Sequence, residues 1–247
     1  MNNRPVSSRN RSLRPAFTLV EVLVVAAIII VLAALVFLGT ARVRKATDRT
    51  ISMDNLRKLQ IANGVYAADN GGTFVATFTQ DSNGKTGGLW DRNPEFLDIY
   101  LGQLDQKTTG SQESRVSPKD LDPIAYKAKG NGYNTLKASY GMVSKENYRS
   151  GNKDVNSAYR IGELTSAPQT AAFVTAVNWL VQYGGRDSWD GVEGKVNAPR
   201  IAYRHNNKAL VVYYDGHVGE ISKEDMKELD RRGGKNNCFW KGRGGTP

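Results

Sequence analysis

The chain has 247 residues, a formal charge of +10 and one cysteine, Cys238. A lone cysteine excludes an intrachain disulfide framework. Its Lys and Arg residues are scattered among acids, as at Lys127 and Lys129, Arg231 and Arg232, or Lys241 and Arg243; that reads as a solvated surface, not a nucleic-acid-binding stripe.

Residues 1–16 carry Arg4, Arg9, Arg11 and Arg14 and no acid. Residues 17–38 are apolar except for Thr18 and Glu21. As a helix rising about 1.5 Å per residue, this run spans roughly 33 Å, enough to cross a hydrocarbon core of ~30 Å. It is too long for the apolar region of a secretory signal. No second run of this kind occurs, so a single membrane anchor and one modest globular domain are predicted. Arg42, Arg44, Lys45 and Arg49 follow the run as closely as the four leader arginines precede it, so the charge count leaves its orientation tied.

The helical pattern continues through residues 39–72. Val43, Ala46, Met53, Leu56, Leu59, Ala62 and Tyr66 form one apolar stripe on an otherwise charged helix. Asn70-Gly71-Gly72 is a strong stop. One helix over 17–69 is predicted, with Gly39 and Gly64 as points where it would bend. Beyond it, 81–84 (DSNG) reads as a turn and 94–100 as a short helix with Pro94 in its first position. Residues 106–119 read as polar and mobile, and 138–143 and 170–177 as strands.

The segment 200–221 predicts a β-meander. Asn206-Asn207 and Asp215-Gly216 are two-residue hairpin turns bracketing a strand over 208–214. Pairing through them places Ile201, Tyr203, Leu210, Val212, Tyr214 and Ile221 on one face, the natural seat for the helix stripe. Residues 223–232 read as a helix, and 233–247 as a disordered, Gly-rich basic tail. The globular domain is thus expected over 73–232.

Few residues invite chemistry. His205 and His217 fall at opposite ends of the central strand, roughly 20 Å apart at ~3.3 Å per residue. They cannot share a metal ion, and His205 cannot act with Asp215, so strand-end roles are expected for both histidines. Asp187, Asp190 and Glu193 make an oxygen-rich loop of the kind that suits calcium, though without EF-hand spacing; an ordinary polar turn is the plainer reading. Gly84-Lys85-Thr86 lacks the upstream glycine of a phosphate loop, since position 79 is threonine. No G-x-S-x-G elbow or H-E-x-x-H pair is present. Trp90, Tyr100, Trp179, Tyr183 and Trp189 would line a groove or, more plainly, pack in the core and loops.

The arginine-bearing leader running into FTLVEVLVV, followed by NLRKLQIANGVYAADNGG, resembles the type IV pilin and type II secretion pseudopilin family. His205, nine residues, then Asp215-Gly216 is similar to the H-X9-DG pattern of many bacterial prepilin-like proteins. The resemblance implies that a prepilin peptidase cuts between Ala16 and Phe17 and methylates the new amino group of Phe17. Ala16 departs from the usual glycine but keeps a small residue before the cut. The resemblance also breaks the orientation tie, with the leader cytoplasmic and the globular domain outside the inner membrane.

Glu21 would then be the fifth residue of the mature chain. A charge in hydrocarbon costs ~2–3 kcal/mol at a helix centre and less near an end. The family's remedy is the ammonium of a neighbouring subunit's Phe17, and the alternative is snorkelling to the headgroups. Such head-to-tail pairing does not close on itself and so builds a helical filament. The expected fold is α+β and pilin-like, with a long N-terminal helix on a small antiparallel sheet. The implied role is a non-enzymatic filament subunit whose partners are the prepilin peptidase, other copies and related pseudopilins, and an inner-membrane assembly platform. The rival is a solitary anchored extracytoplasmic binding protein that uses the leader only for export.

Overall fold

The computed structural model describes residues 18–80, 86–102, 117–129, 136–145, 155–186, 188–193 and 200–242. Helix α1 (Leu19–Asp69) opens on a capping box: Thr18 Oγ1 accepts from Glu21 N at 3.3 Å, and Glu21 Oε2 accepts from Thr18 N at 2.9 Å. By its internal contacts the chain divides into two units, residues 1–44 and 45–247.

In the first unit, apolar side chains are exposed on every side of the helix, from Leu19 (79 %) to Leu35 (62 %). Among the described residues no helix is long and apolar enough to cross a membrane. Of the run 17–38, residue 17 and the side chains of 36–38 lie outside the description.

In the second unit, α1 ends as its sequence dictates. Gly71 and Gly72 take φ of 61° and 78°, and Gly72 N donates to Ala67 O at 2.8 Å, satisfying a carbonyl the helix would otherwise leave open. The stripe is shorter than expected. Leu56, Leu59 and Ala62 are buried, whereas Val43 is 65 % exposed and Ala46 is exposed too. Full burial begins only at Ser52, after Asp48 and Arg49 have made polar contacts with Lys127 and Glu220.

After α1 come β1 (Phe78–Gln80) and β2 (Thr86–Leu89), then α2 (Pro94–Leu101). Asn93 caps α2 through Oδ1, Pro94 is its first residue and Gly102 closes it at φ 63°. Next are α3 (Pro123–Lys129), β3 (Tyr140–Val143), β4 (Val155–Asn156), β5 (Ala171–Thr175), β6 (Leu180–Val181), β7 (Lys208–Tyr213), β8 (Val218–Ser222), α4 (Lys223–Arg231) and α5 (Cys238–Lys241). The strands form a small sheet ordered β2-β1-β4 and a five-stranded sheet ordered β6-β3-β5-β7-β8. In the larger sheet only β3 and β6 run parallel.

Alternation along β7 separates two cores. Leu210, Val212 and the following Tyr214 join Leu56, Leu59, Trp90, Phe96 and Phe173 on the α1 side. Ala209 and Val211 join Ile201, Tyr203, Ile221, Met226, Phe239 and Trp240 on the other. The expected one-face set is therefore split, with Ile201, Tyr203 and Ile221 on the face opposite Leu210, Val212 and Tyr214.

Two local facts cause the split. The second hairpin loop has three residues, not two: Tyr213 N donates to His217 O at 3.0 Å, and Gly216, at φ 92°, donates back to Tyr213 O at 2.9 Å. That register sets Ile221 opposite Ala209. Residues 200–205 do not form the meander's first strand either. Ile201 bridges Ala176, and the edge of β7 they were expected to occupy belongs to β5, whose five residues are all buried. The more apolar segment takes the central place.

The C-terminal tail also departs from expectation. Residues 234–241 form a 3-10 turn and α5, and Phe239 and Trp240 are each 2 % exposed in the second core. Thr165 N donates to Gly242 O at 3.0 Å, tying the end down. Glycine content hid an aromatic pair large enough to anchor the segment. Residues 117–119, at the end of the stretch read as mobile, lead into and form part of a 3-10 turn (Pro118–Asp120). Residues 106–116, the turn at 81–84 and residues 243–247 lie outside the description.

Candidate functional site

The second unit buries a charged cluster assembled from four distant segments. Asp122 caps α3: Oδ1 accepts from Ile124 N at 2.9 Å and Ala125 N at 3.1 Å, with Pro123 in the first helical position. Its other oxygen, Oδ2, accepts from Ser52 Oγ of α1 at 2.8 Å and from His205 Nε2 at 2.8 Å, and lies 3.6 Å from Arg204 Nη1. Asp122 is fully buried. Burial alone would push its carboxyl up, but the Arg204 charge, His205 and Ser52 outweigh it and hold the group down at about 2.

Arg204 is 2 % exposed at its side chain and every nitrogen is engaged. Nε and Nη2 grip both oxygens of Glu193 at 3.0 Å each, Nη1 donates to Ser139 O at 3.1 Å, and Nη2 donates to Ala176 O at 2.9 Å. One side chain thereby joins the starts and ends of central strands to the loop at 188–193. His205 is equally buried. Its backbone exchanges both hydrogen bonds with Lys208 at 3.0 Å, across a turn in which Asn206 and Asn207 take φ of 53° and 61°. With Nε2–H donated to Asp122, His205 Nδ1 is buried without a partner. An unmet group of this kind costs about 1–3 kcal/mol unless something fills the place.

The H-X9-DG residues thus act at the two ends of β7. His205 pins the entry to Asp122, while Asp215 Oδ1 holds His217 N and Nδ1 at 3.2 and 2.6 Å at the exit. The His217 ring lies flat on Tyr213 at 4.2 Å. His205 and Asp215 do not meet, in keeping with the strand geometry, and His205 finds its acid 83 positions away in sequence.

Two carboxylates of the oxygen-rich loop, Asp190 and Glu193, have partners within the second unit. Asp190 Oδ1 accepts from Val192 N at 3.1 Å and Oδ2 lies 3.5 Å from Arg200, while Glu193 is clamped by Arg204. Asp187 lies outside the described residues, among which no three metal-ligating side chains gather. The five aromatics line no common groove. Trp90, Tyr100 and Trp179 belong to the α1-side core, and Tyr183 and Trp189 to the opposite one.

Above His205 and Arg204 lies a cleft of about 720 Å³, walled by α1 residues Lys45, Asp48 and Arg49 and by Ile124 and Lys127 of α3. Lys127 Nζ bridges both oxygens of Asp48 at 2.8 Å. Arg49 bonds Glu220 through Nε. Sequence reasoning missed this cluster. The available signal was Ser52 and Asn55, polar residues that share the helix face of Leu56 and Leu59 and so had to find buried partners; Asn55 Nδ2 donates to Lys119 O and Leu121 O.

Since the Asp122 carboxyl is depressed in the fold, the stability it supplies is present above its unfolded value of 3.8 and is lost as pH falls through about 2. Urea midpoints between pH 5 and pH 2 are expected to fall more steeply for the native chain than for Asp122→Asn, by roughly 2 kcal/mol of unfolding free energy. Parallel curves would remove Asp122 from the acid response.

Comparison with protein-family models, with curated proteins and with solved structures finds no match for this chain.

Proposed function

We propose that the chain is a structural subunit, a pseudopilin, of a type II secretion or type IV pilus-like filament. It is cut by a prepilin peptidase between Ala16 and Phe17 and held in the inner membrane by residues 17–38, with the unit from residue 45 onward outside. The observation that carries this reading is the lone acid Glu21, placed four residues after Phe17 in a run otherwise apolar but for Thr18. The helix there exposes apolar side chains all round, as a segment meant for lipid or for like helices does. Its capping box commits Glu21 Oε2 to Thr18 and leaves Oε1 without a hydrogen-bond partner among the described residues. Both box residues lie after the cut, so the cap survives processing and Oε1 is available to a neighbour's ammonium.

Mass spectrometry of the chain purified from its native host tests the processing step. The expected N-terminus is N-methylated Phe17. Retention of residues 1–16 would remove the cation on which the pairing depends.

One observation favours the rival, an anchored binding protein: the cleft above His205 is of ligand size. Loss of filament assembly on neutralising Glu21 separates the two, because the rival expects no change.

A further inference from the structure

We propose that the cleft above His205 binds a small organic phosphate. Its walls hold four cations, Lys45, Arg49, Lys127 and Arg204, against one lining carboxylate, Asp48. Arg204 is saturated by its own partners and its charge is met by Glu193 and Asp122, so Lys45 and Arg49 are the cations left to face a ligand. Lys45 has no ion-pair partner among the described residues, and Arg49 uses only Nε on Glu220, which leaves its terminal nitrogens.

His205 supplies the second and independent sign of a ligand. It is 3 % exposed, it lines the cleft, and its Nδ1 is unpartnered. With Nε2–H committed to Asp122, Nδ1 is the unmet polar atom of the cluster; a small shift of the ring that opens this buried atom to the cleft would let it accept from a phosphate hydroxyl or, protonated, donate to a phosphate oxygen. A phosphate monoester presents both kinds of atom, and its oxygens outnumber those of a carboxylate, matching a lysine ammonium, an arginine fork and an imidazole together. The volume of about 720 Å³ and the apolar wall at Ile124 leave room for an organic body beyond the phosphate.

The source of the phosphate is either a soluble monoester or a lipid headgroup, and the test uses a probe for each. Full-length protein in a non-ionic detergent is titrated calorimetrically with phenyl phosphate and, separately, with dihexanoyl phosphatidic acid. Saturable binding of phenyl phosphate is expected, weakened at least tenfold in Lys45→Glu. Lys45 is exposed and unpaired, so this variant is expected to keep the native thermal midpoint. A His205 side-chain ¹⁵N resonance that moves on saturation places the ligand at Nδ1. Binding of the phosphatidic acid alone assigns the site to a headgroup. Binding of neither probe, or equal binding by Lys45→Glu, overturns the proposal. The inference is independent of filament assembly, which these titrations do not read.

Discussion

Replacing Glu21 by Ala is expected to abolish assembly of the chain while the unit from residue 45 onward stays folded. The proposed filament contact pairs the Glu21 carboxylate with the Phe17 ammonium of the next copy, inside a medium that solvates neither. Removing the acid leaves a neighbouring ammonium without its partner, a loss of several kcal/mol per contact when one member of a buried pair is deleted. Such a contact would be heterologous and repeat at every subunit, so the loss would recur along the whole proposed filament.

Glu21 also closes the capping box with Thr18, worth about 1 kcal/mol to the helix. Glu21→Gln separates the two roles, since a glutamine amide keeps the acceptor for Thr18 N but has no charge. Both variants are expected to give no sedimentable filaments and no crosslinks between helices, with native circular dichroism. If Glu21→Gln assembled normally while Glu21→Ala did not, the acid would be a helix cap and the pairing reading would be lost.

Replacing Asp122 by Ala is expected to lower the unfolding free energy by about 4 kcal/mol. That is the size of loss expected when a buried carboxylate is removed and several buried donors lose their acceptor together. Here Arg204 keeps Glu193 but loses its second carboxylate, while His205 and Ser52 lose their acceptor and α3 its cap in the same change. Thermal midpoints are expected to drop by roughly 10 °C for a domain of this size. Asp122→Asn keeps the size and a capping oxygen and is expected to cost about half as much. Asp215→Ala, at the exposed end of the same motif, is expected to cost no more than about 1 kcal/mol. Equal losses for Asp122→Ala and Asp215→Ala, measured by urea unfolding, would mean that the two ends of β7 carry the same weight and that the buried cluster has no special place.

The parts of this fold legible in the sequence are those set by neighbours a few residues apart. The helix stop at Gly71 and Gly72, the Asn93-Pro94 start of α2 and the positive φ at Asn206-Asn207 all follow from local backbone chemistry. The second hairpin shows the limit of such reasoning. Asp215-Gly216 correctly marked a turn, yet one more loop residue shifted the pairing and carried Ile221 to the other face. In the tail, counting glycines missed Phe239 and Trp240, whose burial depends on a core built by β7, β8 and α4.

By itself, then, the sequence determined the lone acid in an apolar run, the long helix and its stop, and the two turns that delimit β7, because each rests on spacing along one piece of backbone. Only the tertiary structure decided that Asp122 is the acid for His205 and Glu193 the one for Arg204, that β5 and not residues 200–205 lies beside β7, and that a cleft opens above the buried histidine. Those outcomes turn on which apolar segment gains most by taking the centre of the sheet, and on which charges are then left facing one another out of water, and neither is a property of any single stretch of chain.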